Sequence, residues 1–276
     1  MSLFDAYGYN GKRAVVVGGA TGMGAAVAEL VKDAGAEVVV MDRAPVTLDG
    51  VKSIQVDLAD RASIEAATDE CGGPVNALFS CAGVADGTPG IERINFLGHR
   101  HMIDRMRAGG MLPRGAAIGF ISSAAGAAWQ ANLEKVTRYL DITDFDEATK
   151  YAVDNGMDNY LWTKLAICAY VAREAMGLLK EGIRLNAILP GPTDTPLARA
   201  NADMWLGFAA DYRAETGIEP STPLEQAYAL AFLCSDAARA VTGITMVTDV
   251  GYFASGLSGS FEAAAPVAQF LTTSEF

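Results

Sequence analysis

Tyr160 and Lys164, four residues apart in Asn159-Tyr160-Leu161-Trp162-Thr163-Lys164, are the pair in this chain best suited to move a proton. On a helix this spacing sets both side chains on one face, one turn apart. A phenol with a pKa of about 10 is a poor acid or base near neutrality. An ammonium about 4 Å away favours the phenolate by about 4 kcal/mol at an effective dielectric near 20. That would bring the phenol down to roughly 7 to 8, a useful range for proton transfer. Alone, the pair reads equally as a core aromatic beside a solvated lysine, so the rest of the chain has to decide.

A second chemical group is Gly18-Gly19-Ala20-Thr21-Gly22-Met23-Gly24. Arg13 to Gly18 before it is a continuous apolar run, as expected of a strand buried on both faces of a parallel sheet. Ala25 to Lys32 after it has helical periodicity and stops at Gly35, and Ala36 to Asp42 is a second apolar strand. In this strand, turn, helix, strand setting, Gly18 allows the tight turn and Gly22 lets the backbone approach a pyrophosphate at the helix N-terminus. Gly24 lets the helix sit close to the strand. Asp42 ends the second strand near the offset of about 20 residues at which a carboxylate accepts the adenosine ribose hydroxyls. It would repel a 2′-phosphate and so favours NAD over NADP, whereas Arg43 beside it is the residue that could accommodate that phosphate.

The elements that must carry these groups alternate along the chain. A short strand precedes Asp57-Leu58, and Ser63 to Glu70 reads as a helix. Asn76 to Gly83 is a strand running into glycine. Ile91 to Gly109 is one long helical pattern containing Asn95, and Ala116 to Ser123 is a strand ending in two serines. Arg184 to Gly191 and Ile244 to Gly251 supply two more. The expectation is a single-domain α/β, Rossmann-like doubly wound parallel sheet of about seven strands with helices on both faces.

Composition narrows the partners. A net charge of −12 without a basic stripe argues against nucleic acid. Cys71, Cys81, Cys168 and Cys234 are scattered and read as reduced thiols. His99 and His101, two apart on a helix, point to different faces, so no metal is expected. Met1 to Arg13 holds no apolar stretch of signal-peptide length, and no run reaches the length of a membrane span. A soluble cytoplasmic protein is expected.

Taken together, the glycine turn, Asp42, Asp57-Leu58, Cys81-Ala82-Gly83, Asn95, Ser122-Ser123, Tyr160/Lys164 and Pro190-Gly191 with Thr195 resemble the short-chain dehydrogenase/reductase family over nearly the whole chain. The resemblance implies Tyr160 as acid/base and Ser123 as hydrogen-bond donor to the substrate oxygen, with Ser122 the fallback. It implies Lys164 as the group that lowers the tyrosine pKa and holds the nicotinamide ribose. Asn95 would support the proton relay, or else bond backbone locally. Thr21, Met23, Asp57, Leu58, Cys81, Ala82 and Gly83 would line the cofactor, with Pro190, Gly191, Thr193 and Thr195 at its carboxamide end. A homodimer or homotetramer follows from the family alone.

Two departures stand out. Cys81 replaces the family's asparagine, and the gap from Ser123 to Tyr160 is much longer than usual. The extra segment, about 127–155, has a helical pattern at Leu133, Val136, Tyr139 and Leu140. It would wall the substrate site or alter a subunit interface. Together with Cys81-Ala82-Gly83, Ile94-Asn95-Phe96-Leu97-Gly98 and Asp42, it is similar to the bacterial 3α-hydroxysteroid dehydrogenase/carbonyl reductase branch. A lid is expected at about 196–223, rich in Leu197, Met204, Trp205, Leu206, Phe208 and Tyr212, which suits a bulky apolar alcohol or ketone, hydroxysteroid- or terpenoid-like. The alternatives are a 3-oxoacyl-thioester reductase and a non-catalytic NAD sensor; the latter has no need of Ser123, Tyr160 and Lys164 together. Ser258 to Phe276 could cover the site, contact a subunit or lie loose.

Overall fold

The first strand of the sheet, β1 (Arg13–Val17), follows a short N-terminal helix, α1 (Leu3–Tyr7), in a computed structural model that describes residues 2–276. After it come α2 (Gly22–Asp33), β2 (Glu37–Asp42), β3 (Lys52–Gln55), α3 (Arg61–Cys71) and β4 (Ala77–Ser80). All strand pairs are parallel, in the order β3-β2-β1-β4-β5-β6-β7, with β5 at Ala117–Ile121, β6 at Arg184–Pro190 and β7 at Thr245–Thr248. The order reverses between β1 and β4, so the connections leaving their carboxyl ends run to opposite faces of the sheet and open a crevice there.

Valines dominate β1 and β2, and the period of two sends them to both faces. Val15, Val17, Val39, Met41, Leu78 and Phe120 join one core, and Ala14, Val16, Val38, Val40 and Phe79 join the other. Each core is closed by a helical layer. The second is covered by α2 and by α11 (Pro223–Cys234), whose start is fixed by a Thr222/Glu225 capping box.

The first core is covered by α3, α4 (Gly98–Ala108) and the long α7 (Tyr160–Glu181). Here the expected continuous helix from Ile91 to Gly109 breaks: Arg93–Leu97 forms a π-turn before α4 begins. Such widened turns leave one residue out of the regular ladder and are common at functional sites. This one carries Asn95. Helix α7 starts where the Asn159 side chain accepts the Trp162 N–H, and it ends at Gly182.

The extra segment folds as α5 (Leu133–Asp141) and α6 (Phe145–Asp154). Val136, Tyr139, Leu140, Phe145, Ala148 and Ala152 are all buried in the first core. The arm is therefore laid along α4, the π-turn and α7, and its apolar stripe is what holds it there.

The lid follows β6 as α8 (Pro196–Ala200), α9 (Ala202–Trp205) and α10 (Ala210–Thr216). Phe208 and Tyr212 pack edge-on against Tyr252 of α12 (Tyr252–Ser258), and Tyr212 also meets Phe261. Those aromatics form the lid's own core and are not free for a ligand. The C-terminal helix α13 (Ala265–Thr273) packs on α12 and on the turn Ala124–Trp129. Asn132 fixes the segment beyond it, donating to the Ser274 carbonyl (2.9 Å) and accepting the Phe276 N–H (2.8 Å). The C-terminal segment thus backs the turn that begins at Ser123. No helix among the described residues is long and apolar enough to cross a membrane.

Candidate active site

The crevice at the carboxyl ends of β1, β2 and β4 is a cleft of about 1060 Å³, its open mouth included. Its floor is Gly18, Thr21, Gly22, Met23 and Gly24. One end carries Asp42, Arg43, Asp57 and Leu58, the other Cys81, Ala82 and Gly83, and Thr195 closes over the top from the lid. Gly18 has a φ of +83°, and a side-chain carbon there would fall 2.4 Å from the Ala82 backbone. At Gly24 it would fall 2.0 Å from the Gly18 carbonyl oxygen. Only glycine allows this turn and this seating of α2, whose N-terminus then opens onto the cleft.

Asp42 is held from both sides. One carboxylate oxygen accepts the Ala20 N–H and the other the Ala44 N–H, each at 2.9 Å. Each oxygen keeps a further lone pair for a hydroxyl. A glycine cradle at a helix N-terminus, with a fixed carboxylate at the end of β2, fits a dinucleotide.

Proton-moving groups gather beyond Gly83. A side-chain carbon at Gly83 would lie 3.5 Å from Asn95 Oδ1 and 3.8 Å from Lys164 Nζ, so these two side chains meet at that glycine. Lys164 is buried, donates to the Ile121 carbonyl (3.2 Å) and sits 5.2 Å from the Tyr160 ring centre. Ser123 Oγ accepts the Ala125 N–H (3.2 Å), which leaves its own hydrogen to donate, and it lies near enough to Tyr160 to ease the ionisation of the phenol. Ser122 turns away, donating to the Lys164 carbonyl (3.2 Å). Of the two serines, Ser123 faces the tyrosine.

Asn95 bonds no neighbour in its own turn. Its side chain accepts the Val84 N–H (2.8 Å) and donates to the Val84 carbonyl (3.1 Å), clamping the loop after β4, with a third contact to Thr163 Oγ1 (3.3 Å). Pro190, Gly191 and Thr193 stand outside the cleft wall. The Gly191 N–H goes to the Thr248 carbonyl (3.1 Å), and Thr193 pairs with Ser221.

The electrostatic expectation for Tyr160 is reversed. Burial pushes its phenol up to about 12, against the Ser123 hydrogen bond, and the Asp86 carboxylate adds to the rise. Burial also pulls Lys164 down to about 8, so the nearby cation is itself weakened. Desolvation of both groups outweighs their attraction.

Several neighbours were not named as site residues from the sequence. Val84, Thr88 and Ile94 line the cleft, Asp86 accepts the Tyr160 backbone N–H, and Trp205 lies on the Tyr160 ring with centroids 5.3 Å apart. Val84 directly follows Gly83 and was legible by adjacency. Trp205 belongs to the expected lid, whereas Asp86 has no local signal tying it to Tyr160.

His99 supports the far wall. Its Nε2 donates to the Ala82 carbonyl (3.1 Å), Nδ1 has no partner, and burial pushes the imidazole down to about 4. Between about pH 6.5 and 4 the unfolded chain takes up this proton and the folded chain does not. Stability is therefore complete above that window and falls as pH drops, by about 3 kcal/mol at its lower end. Urea unfolding from pH 7 to pH 4 should show this slope in the native protein and lose it in His99→Gln. Equal slopes would contradict it.

A short-chain alcohol-dehydrogenase family model, described as "Enoyl-(Acyl carrier protein) reductase", matches residues 18–253. "Short-chain dehydrogenase reductase 3a" of Arabidopsis thaliana is 31% identical over 258 residues, covering 88% of this chain and 95% of that protein. The chain belongs to the short-chain dehydrogenase/reductase family. It is an oxidoreductase of a family that binds a nicotinamide cofactor. "Cis-4-hydroxycyclohexanecarboxylate dehydrogenase" of Sinomonas cyclohexanicum is 30% identical over 260 residues, covering 87% and 96%. The same fold is seen in the 3-alpha-hydroxysteroid dehydrogenase of Pseudomonas sp. B-0831 complexed with NADH, at 24% identity and a TM-score of 0.71. That match covers 91% of this chain and 99% of the other.

Proposed function

We propose that this short-chain dehydrogenase/reductase interconverts a ring-bound secondary alcohol and its ketone, with NAD as the hydride carrier. The observation that carries the reading is the gathering of Ser123, Tyr160 and Lys164 beside the cleft, which Lys164 meets at Gly83. When bound, the nicotinamide supplies the hydride acceptor or donor.

The chain's own residues do the rest. Tyr160 Oη takes the alcohol proton in oxidation and returns it to the carbonyl oxygen in reduction. Ser123 Oγ–H, with its oxygen held by Ala125, donates to that same oxygen and steadies its negative charge. Lys164 keeps positive charge beside the phenol and would hold the ribose. Asn95 fixes the Val84 loop around both. The N–H groups at the start of α2 would bind the pyrophosphate, and Thr195, which lines the cleft, would border the carboxamide. Leu197, Met204 and Trp205 are the lid groups left for an apolar substrate, since Phe208 and Tyr212 are packed within the lid. The cyclohexane ring in the name of one relative's substrate agrees with a ring alcohol.

Asp42 supports NAD. Its carboxylate would accept ribose hydroxyls and repel a 2′-phosphate, while Arg43 is exposed beside it. Asp42→Ala should raise KM for NAD by about tenfold to a hundredfold, as expected for lost hydrogen bonds to a charged group. It should also narrow the preference over NADP; a native enzyme that prefers NADP would overturn the assignment. The function itself is tested by initial rates with NAD on a 3α-hydroxysteroid, a cyclohexanol, an aryl primary alcohol and, in reverse, a 3-oxoacyl thioester. Oxidation of the two ring alcohols supports it; turnover of the thioester alone would replace it with the acyl reductase reading.

A further inference from the structure

Four elements place groups against Tyr160. Lys164 comes from its own helix, Ser123 from the turn after β5, Trp205 from the lid and Asp86 from the loop after β4. Asp86 is the acidic one, and it is exposed. Its carboxylate accepts the N–H of the first residue of α7, so it is tied to the catalytic tyrosine's own backbone.

Basic side chains in the neighbouring segments are committed elsewhere. Arg199 is held by both oxygens of Asp194 (2.6 and 2.8 Å). Arg213 donates to the Leu206 and Phe208 carbonyls (2.5 Å each). Arg93 lies against Glu92 (3.6 Å) and the Ala59 carbonyl (3.4 Å). Lys164 is buried on the Ile121 carbonyl. A substrate anion at Tyr160 would meet a carboxylate and find these cations already paired or spent.

We propose that Asp86 sets the charge selectivity of the substrate site, which takes uncharged ring alcohols and ketones and disfavours those bearing a carboxylate. The proposal rests on the ring-alcohol reading above. Like charges about 10 Å apart at an effective dielectric near 20 discriminate by at least about tenfold, and added salt weakens the effect.

The test compares 4-hydroxycyclohexanecarboxylate with its methyl ester, which share ring and hydroxyl and differ in charge. Native enzyme should show kcat/KM at least about tenfold higher for the ester. Asp86→Asn keeps an amide oxygen for the Tyr160 N–H. It should cut that ratio at least about threefold, chiefly by raising kcat/KM for the acid, with a smaller effect at high salt. It should also move the alkaline rise of ester oxidation to lower pH, because the negative charge beside the phenol is gone; a purely structural cap would leave that profile in place. An unchanged ester-to-acid ratio, with both compounds oxidised, overturns the proposal alone. Oxidation of neither by the native enzyme, with NADH still bound, overturns the ring-alcohol reading and this proposal with it.

Discussion

Tyr160→Phe should lower kcat by about 10³-fold in both directions, inside the 10²–10⁴ range that a positioned acid/base contributes. Cofactor affinity and the urea midpoint should stay close to native. Phenylalanine keeps the ring that packs on Trp205 and lies beside Lys164, and loses the one atom that moves the proton. Residual activity above about a tenth would mean that another group carries the proton. The native pH profile has a definite sign. With the phenol held up to about 12, Tyr160 keeps its proton at neutral pH. Oxidation needs the phenolate, so its rate should climb through the alkaline range. Reduction needs the phenol and should stay flat there. An oxidation rate that levels off near pH 7 would restore the lysine-lowered phenol expected from the Tyr160/Lys164 spacing alone.

The second large effect belongs to Gly24. A methyl there would stand 2.0 Å from the Gly18 carbonyl oxygen and 3.1 Å from Cys81 Cβ. The added carbon is fixed by the helix backbone and the oxygen it meets is itself backbone, so no rotamer relieves the contact, and α2 must lift away from β1. Gly24→Ala should cost about 3 kcal/mol or more, the upper range for overpacking. It should weaken cofactor binding at least about a hundredfold, because the displaced N–H groups are the ones that would face a pyrophosphate in the proposed binding mode. Gly177→Ala is the control. That glycine lies inside α7 with nothing within 4 Å, so alanine there should be neutral or stabilising by up to about 1 kcal/mol. NADH fluorescence titration and urea unfolding read both; equal behaviour of the two variants would contradict the account of the glycine turn.

Much of this architecture is written in short-range patterns. The valines of β1 and β2 and the glycines between them specify the first βαβ unit, because period, turn and close approach are all local properties. The same holds for Tyr160 and Lys164, which one helical turn brings to the same side. What the sequence withheld depends on contacts between distant segments. The π-turn at Arg93–Leu97 is invisible to helical periodicity, and Asn95's partner, Val84, lies on another element. The Tyr160 expectation failed because spacing sets attraction, whereas burial is set by the Ser123 turn, the β4 loop and the lid together. The extra segment was legible as helical, but its stripe of Val136, Tyr139 and Leu140 does not say which layer receives it. Phe208 and Tyr212 read as substrate contacts from the sequence, yet Tyr252 and Phe261, some forty to fifty residues on, take them up.

The most direct measurement follows a ring alcohol carrying deuterium on its hydroxyl-bearing carbon through one turnover with NAD. Mass analysis of the reduced cofactor should find that deuterium on the nicotinamide and the ring product as ketone, with Tyr160→Phe forming neither at a comparable rate. Reduced cofactor without the label, or label lost to water, would contradict hydride transfer from a secondary alcohol and with it the function proposed for this site.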